Sequence, residues 1–246
     1  MSADIHLLDC TLRDGGYYNQ WDFESHVVSA YLAAISDSGI SLVELGFRNF
    51  ASDNFRGPFF YTTDEFLKTL SLPPGIEYGV MVDAKEIIEF GDVEEAVKEL
   101  FASSEQSKIS FVRFACKAHE VARIVPAAQT LIRLGYSIFI NLMQVANCTP
   151  LQISDVLASV HLIADVRGFY LADSLGNMSP TDISRFSTLV RESWNGEIGF
   201  HAHDNSGRAL VNVETAINER MRFIDVTIAG MGRGAGNLPT EKLLIS

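Results

Sequence analysis

The sequence predicts an α/β protein folded as a (β/α)8 TIM barrel, with a short or incomplete eighth helix and residues 1–246 forming a single domain. Three observations carry this. Eight short runs rich in Val, Ile, Leu and Phe alternate with longer amphipathic stretches, the pattern of repeated βα units. The runs are apolar nearly throughout rather than at every second residue, as parallel strands covered on both faces must be. The length of 246 residues matches the roughly 250 of one such barrel. An open doubly wound sheet is the alternative, but no dinucleotide-binding glycine fingerprint occupies the first βα turn, where Thr11-Leu12-Arg13-Asp14-Gly15-Gly16 stands.

In chain order, strands are predicted at 5–12, 41–47, 77–83, 110–116, 137–143, 168–173, 197–203 and 223–229. Helices are predicted near 25–38, 63–71, 93–103, 119–134, 150–162, 181–194 and 207–219. Thr149-Pro150 and Ser179-Pro180 each offer an N-cap followed by an early proline. Gly39 and Gly135 follow helices, where a left-handed residue is often needed. After the last strand only Leu238–Ser246 remain for the eighth helix, about two turns. A larger parent chain or a partner subunit covering that helix is one expectation; a homo-oligomer is another.

Composition narrows the function classes. A formal net charge of −12 argues against nucleic acid as a partner. It also means that an anionic ligand needs local help from a cation or an arginine. No apolar run reaches the ~18–20 residues of a membrane span, and the N-terminus has no signal-peptide pattern, so a cytoplasmic location with no membrane partner is expected. Cys10, Cys116 and Cys148 show no CxxC spacing. Cys10 is the best-placed candidate thiol, with a buried apolar cysteine as the plainer reading.

Phe200-His201-Ala202-His203-Asp204-Asn205 carries the chemistry that is easiest to read. Residues i and i+2 of a strand share a face, so His201 and His203 converge at the C-terminal end of strand seven, where barrels build active sites. Two imidazoles on one face are half of a site for Mn, Fe or Zn, or else two separate polar groups at the barrel mouth. Asp14, at the end of strand one, is a candidate carboxylate ligand. Arg13 beside it suits a carboxylate or enolate oxygen. Alone, this pair also reads as an ordinary ion-paired turn. Only barrel closure brings strands one and seven together, with strand eight between them. The loop Gly230-Met231-Gly232-Arg233-Gly234-Ala235-Gly236-Asn237 then lies beside both. Asn237 is a candidate ligand partner there, and a phosphate-cradling loop is the rival reading.

Thr-Leu-Arg-Asp-Gly at 11–15, Gly-Phe-His-Ala-His-Asp-Asn at 199–205, Gly-Arg-Gly-Ala-Gly-Asn at 232–237 and Asp173-Ser174-Leu175-Gly176-Asn177-Met178-Ser179-Pro180 together resemble a known superfamily. It is that of isopropylmalate synthase, homocitrate synthase, hydroxymethylglutaryl-CoA lyase and 4-hydroxy-2-oxovalerate aldolase, the DRE-TIM metallolyases. The spacing looks most similar to the oxovalerate aldolase branch. The resemblance implies a metal-dependent carbon–carbon lyase with Asp14, His201 and His203 as ligands of Mn2+ or Mg2+. Arg13 would stabilise the enolate of a pyruvate-type 2-oxo acid, and Asn237 would be a further ligand or its support. Substrates would be a small 2-oxo acid and an aldehyde. A Claisen-type acyltransferase using acyl-CoA and a non-catalytic barrel are the alternatives. The aldolase branch has an acid/base histidine three residues after the motif aspartate. Here Tyr17 stands there, and an unperturbed tyrosine pKa of ~10 makes it a poor base.

Inward-facing candidates for substrate contact are Arg113 on strand four, Glu44 on strand two and Asp173 with Ser174 on strand six. Asn141 and Gln144 near the end of strand five are expected to line the pocket or to satisfy buried backbone. His6, His26, His119 and His161 read as structural or surface residues. The stretch 53–58 reads as a lid or a surface loop.

Overall fold

Eight parallel strands close on themselves in the order in which the chain makes them. In the computed structural model, which describes residues 5–245, the strands are β1 (His6–Asp9), β2 (Leu42–Phe47), β3 (Glu77–Asp83), β4 (Phe111–Cys116), β5 (Ser137–Leu142), β6 (Val166–Asp173), β7 (Ile198–Ala202) and β8 (Phe223–Val226). The seam is a parallel ladder running from His6↔Phe223 to Asp9↔Val226. Every residue of β2 and β4 is buried, which is why these strands read as unbroken apolar runs.

The helices are α1 (Thr11–Asp14), α2 (Ser25–Ser38), α3 (Pro58–Tyr61), α4 (Asp64–Thr69), α5 (Ala84–Glu89), α6 (Val93–Leu100), α7 (Val121–Arg133), α8 (Pro150–Val160), α9 (Pro180–Arg191), α10 (Ala209–Asn218) and α11 (Thr240–Leu244). Thr149 with Gln152, and Ser179 with Asp182, form reciprocal capping boxes at the starts of α8 and α9. The helix at the eighth position, α11, has five residues. Among the described residues, no helix is long and apolar enough to cross a membrane.

Two strands are shorter than the sequence predicts. The first ends at Asp9, whose carboxylate accepts the Thr11 N–H at 2.9 Å and turns the chain into α1. The eighth ends at Val226, and Ile228–Gly230 coil into a short 3-10 turn. Both ends carry site loops, so the local hydrogen bonds of the turn win over the β propensity of the run. The predicted loop after β3 is instead α5, capped by Asp83.

The barrel interior is layered. At the bottom, Phe111, Phe139, Tyr170 and Phe223 fill the space with Leu8, Leu42 and Cys10. Glycines make room for these rings: a Cβ at Gly79 would lie 2.2 Å from the Phe111 ring, and one at Gly199 would lie 2.6 Å from Tyr170. Above this plug lies an ionic layer of Glu44, Arg113 and Asp225, with the Arg113 guanidinium 4.7 Å from the centre of the Tyr170 ring. The candidate site stands on that layer.

Candidate metal and active site

β7 delivers His201, and His203 follows one residue past its end, bridged to Asn237. The two Nε2 atoms face each other at 3.3 Å. Asp14 Oδ2 lies 3.6 Å from His201 Nε2. All three side chains are buried. His201 Nδ1 sits 2.7 Å from Asp225 Oδ2, which assigns the ring proton to Nδ1 and leaves the Nε2 lone pair directed at the triad. Burial, with the neighbouring His201, pushes His203 down to about 4, so it is neutral at pH 7. Burial pushes the Asp14 carboxyl up, but Arg13 and then the two histidines outweigh it and hold the group at about 2. A neutral His203 and an ionised Asp14 are the protonation states that a divalent cation requires of such ligands, and His201 turns its Nε2 toward them. The set therefore fits a divalent cation. Asn237 donates its amide to Asp14 Oδ2, while its buried Oδ1 has no protein partner among the described residues and could serve such an ion as a further oxygen ligand.

Arg13 is tied on two sides. Its Nε donates to Glu44 at 2.6 Å and its Nη1 lies 3.1 Å from Asp14 Oδ1. Burial works against its charge, and Asp14 and Glu44 reverse the effect, raising it above its ordinary value. The Trp21 indole donates to the Arg13 carbonyl at 2.7 Å. Glu44 also accepts from Arg113 at 2.9 and 3.0 Å, and Arg113 in turn grips both oxygens of Asp225 at 2.9 and 2.7 Å. One charged network thus runs from Arg13 through Glu44, Arg113 and Asp225 to His201.

These groups open onto a cavity of about 240 Å³ at the C-terminal mouth of the barrel. Tyr17, Asn141, Gln144 and Ser174 line it alongside the triad and Arg13. The Tyr17 ring packs edge-on against Trp21 at 4.7 Å, and desolvation pushes its phenol up, which makes it a donor rather than a base. Three expectations of substrate contact are corrected: Arg113, Glu44 and Asp173 do not reach the cavity. Arg113 and Glu44 are fully buried in the ionic layer beneath it. Asp173 turns its oxygens to the N–H groups of Asn177 and Met178, organising the loop after β6. Residues 53–58 do not line the cavity either. The Cys10 thiol is buried, donates to the Val226 carbonyl and is pushed up by desolvation, so it is the apolar cysteine of the plainer reading. A larger groove of about 540 Å³ between α2 and α4 has no ionisable side chain in its lining and so no equipment for this chemistry.

Sequence reasoning missed Asp225, Asp83 and Arg233. Asp225 had a signal: it is a lone carboxylate inside the apolar run Phe223-Ile224-Asp225-Val226. Arg233 lines the cavity and donates to the Ser174 carbonyl at 3.0 Å.

Comparison with known proteins agrees with this geometry. The HMGL-like family model matches residues 4–246, so the chain belongs to the HMGL-like family. Among curated proteins it is 28% identical to oxaloacetate decarboxylase of Mycobacterium tuberculosis, over 97% of this chain and 68% of that protein. It is 27% identical to 4-hydroxy-2-oxovalerate aldolase of Thermomicrobium roseum, over 96% of this chain and 64% of that one. The chain thus spans about two thirds of the length of these relatives. Among solved structures, the N-terminal domain of a provisionally named aldolase of Bacteroides vulgatus superposes with a TM-score of 0.84 at 32% identity, covering 98% of this chain and 78% of that one. HMG-CoA lyase of Brucella melitensis shares the fold, with a TM-score of 0.74 at 20% identity over 98% of this chain and 89% of its own. By these relatives the chain is a carbon–carbon lyase of a metal-dependent family.

Proposed function

We propose that this protein is an aldolase that cleaves, and in reverse forms, a 4-hydroxy-2-oxo acid, with Asp14, His201 and His203 holding Mn2+ or Mg2+. The observation that carries the reading is the triad itself: two imidazole Nε2 atoms 3.3 Å apart facing an ionised carboxylate, with a guanidinium beside it. A divalent cation held there supplies Lewis-acid polarisation of the substrate's keto and carboxylate oxygens.

The chain's own groups do the rest. Arg13, which lines the cavity beside the triad, would stabilise the negative charge of the forming enolate oxygen. In cleavage, the C3–C4 bond breaks as the 4-hydroxyl gives its proton to water at the open mouth of the cavity. The C3–C4 electron pair passes to the enolate of the 2-oxo acid, whose C3 then takes a proton back from water, so the proton count is unchanged. Tyr17, protonated at neutral pH, donates a hydrogen bond to the oxygen on C4 and orients it. The ionic layer beneath holds Arg13 and His201 in place before substrate arrives, so little reorganisation accompanies the reaction.

Decarboxylation of oxaloacetate would yield the same enolate, and the likeness to a decarboxylase supports it as a second reading. Supplying a racemic 4-hydroxy-2-oxo acid and oxaloacetate in parallel, and following pyruvate release, separates the two. The aldolase reading expects release from the hydroxy acid, lost on chelation and restored by Mn2+. Release from oxaloacetate alone would refute it. Arg13→Lys is expected to lower kcat/KM by about 10²–10³, because lysine cannot reproduce the planar fork.

A further inference from the structure

The cavity has two chemically different halves. The triad, Arg13 and Arg233 all belong to β7, β8, β1 or the loops after them. Facing them across the barrel, β3, β4 and β5 contribute Met81, Asp83, Ala115, Asn141, Met143 and Gln144. No cationic side chain lines this half.

Two of its acceptor oxygens have no donor among the described residues. Asn141 is 4% exposed, and its buried Oδ1 has no protein partner among the described residues. Asp83 Oδ1 caps α5 by accepting the Lys85 N–H at 2.9 Å, while its second oxygen has no protein donor among the described residues. Gln144 is held at φ 55°, ψ 37°, a conformation that a non-glycine residue adopts only under constraint, with its N–H on Ser174 Oγ at 3.0 Å. Buried acceptors without donors are unfavourable until a ligand supplies the donors. Met81, Ala115 and Met143 form the apolar wall between them.

From this we infer that the β3–β5 half is the acceptor subsite and that it takes a short polyhydroxylated aldehyde. The inference rests on the aldolase reading and names its second substrate. Hydroxyl groups donate to Asp83 and Asn141 Oδ1, and the C–H face of the same molecule lies on the two methionines. An aliphatic aldehyde would leave both acceptors unpaired, and an anionic aldehyde would meet the Asp83 carboxylate on a wall that no cationic side chain lines. In synthesis, the enolate carbon bonds to the aldehyde carbon, whose oxygen takes a proton. At about 240 Å³ the cavity is below the ~300–1,000 Å³ of sites for drug-sized ligands, which restricts the acceptor to a few carbons.

The test uses the Mn2+-loaded chain with pyruvate and, in turn, D-glyceraldehyde, D-erythrose, propanal and succinic semialdehyde. Deuterium exchange at the pyruvate methyl is recorded on the same preparations. The hydroxylated aldehydes are expected to exceed both others in kcat/KM by about tenfold or more. Asp83→Leu and Asn141→Leu are each expected to lower the glyceraldehyde-to-propanal ratio by about tenfold. Asp83→Asn, which keeps the α5 cap and an acceptor oxygen, retains most of the ratio. Because the ratio is taken on one preparation, loss of folded protein cancels. If methyl exchange proceeds but propanal or succinic semialdehyde is preferred, or the ratio ignores both leucine variants, the subsite inference is wrong and the aldolase reading stands. If no exchange occurs, both are overturned.

Discussion

His201 owes its orientation to Asp225, and Asp225 is held by Arg113. Partners of this kind typically change metal affinity 10–100-fold when altered. Asp225→Asn is therefore expected to weaken Mn2+ binding by about that factor in titration calorimetry. Because it leaves the buried Arg113 charge under-compensated, it should also cost about 3 kcal/mol or more in urea denaturation. Wild-type Mn2+ affinity in this variant would remove Asp225 from the site. Asp9 gives a separate pH prediction. Its carboxylate faces outward from β1, accepting from Tyr31 at 2.6 Å and Thr11 at 2.9 Å, and burial pushes it up to about 6 from 3.8. The folded state thus holds this proton more tightly than the unfolded chain. The resulting stabilisation is complete below pH ~4 and is lost as pH rises through ~6, a change of about 3 kcal/mol. Asp9→Asn should abolish that decline, so the stability gap between variant and wild type should shift in the variant's favour from pH 4 to pH 7. Parallel stability curves across that range would contradict the assignment.

At the scale of elements, the site was legible where a rule of local geometry applied. The i, i+2 rule placed His201 and His203 on one face. The capping residues Thr149 and Ser179 fixed the starts of α8 and α9 to within a residue. Legibility stopped where a long-range partner decides. Arg113 is inward-facing as its strand position requires, yet its depth depends on Glu44 and Asp225, which lie 69 and 112 residues away in sequence. Asp83 looked like the end of a strand; only the fold shows that it both caps α5 and lines the cavity. The capping boxes also give a stability prediction. Ser179→Ala should cost about 1 kcal/mol in urea denaturation, with Mn2+ affinity unchanged because α9 contributes no ligand.

For the whole molecule, closure is the decisive feature. The β1–β8 ladder brings Asp14 within 3.6 Å of His201, residues that are 187 positions apart by number (201 minus 14). The eightfold alternation predicted that closure, which is why the triad could be assembled from sequence at all. It could not reveal the layering inside the barrel, because aromatic plug, ionic layer and site are all written as inward positions of similar strands. The charge distribution follows the same logic. The chain carries a formal net charge of −12, yet the triad side of its cavity presents two arginines and a candidate cation site, so the proposed 2-oxo acid would be held by local charge against an unfavourable global one. The central claim is that Asp14, His201 and His203 hold a divalent cation which, with Arg13, enolises a 2-oxo acid. Its most direct test is deuterium uptake into the pyruvate methyl group in D2O, followed by NMR with no aldehyde present. The account predicts uptake with Mn2+ or Mg2+, its loss on chelation, its return on adding metal back, and none with His201→Ala. Folded protein shown to contain stoichiometric metal, with no uptake into any 2-oxo acid tried, would contradict it.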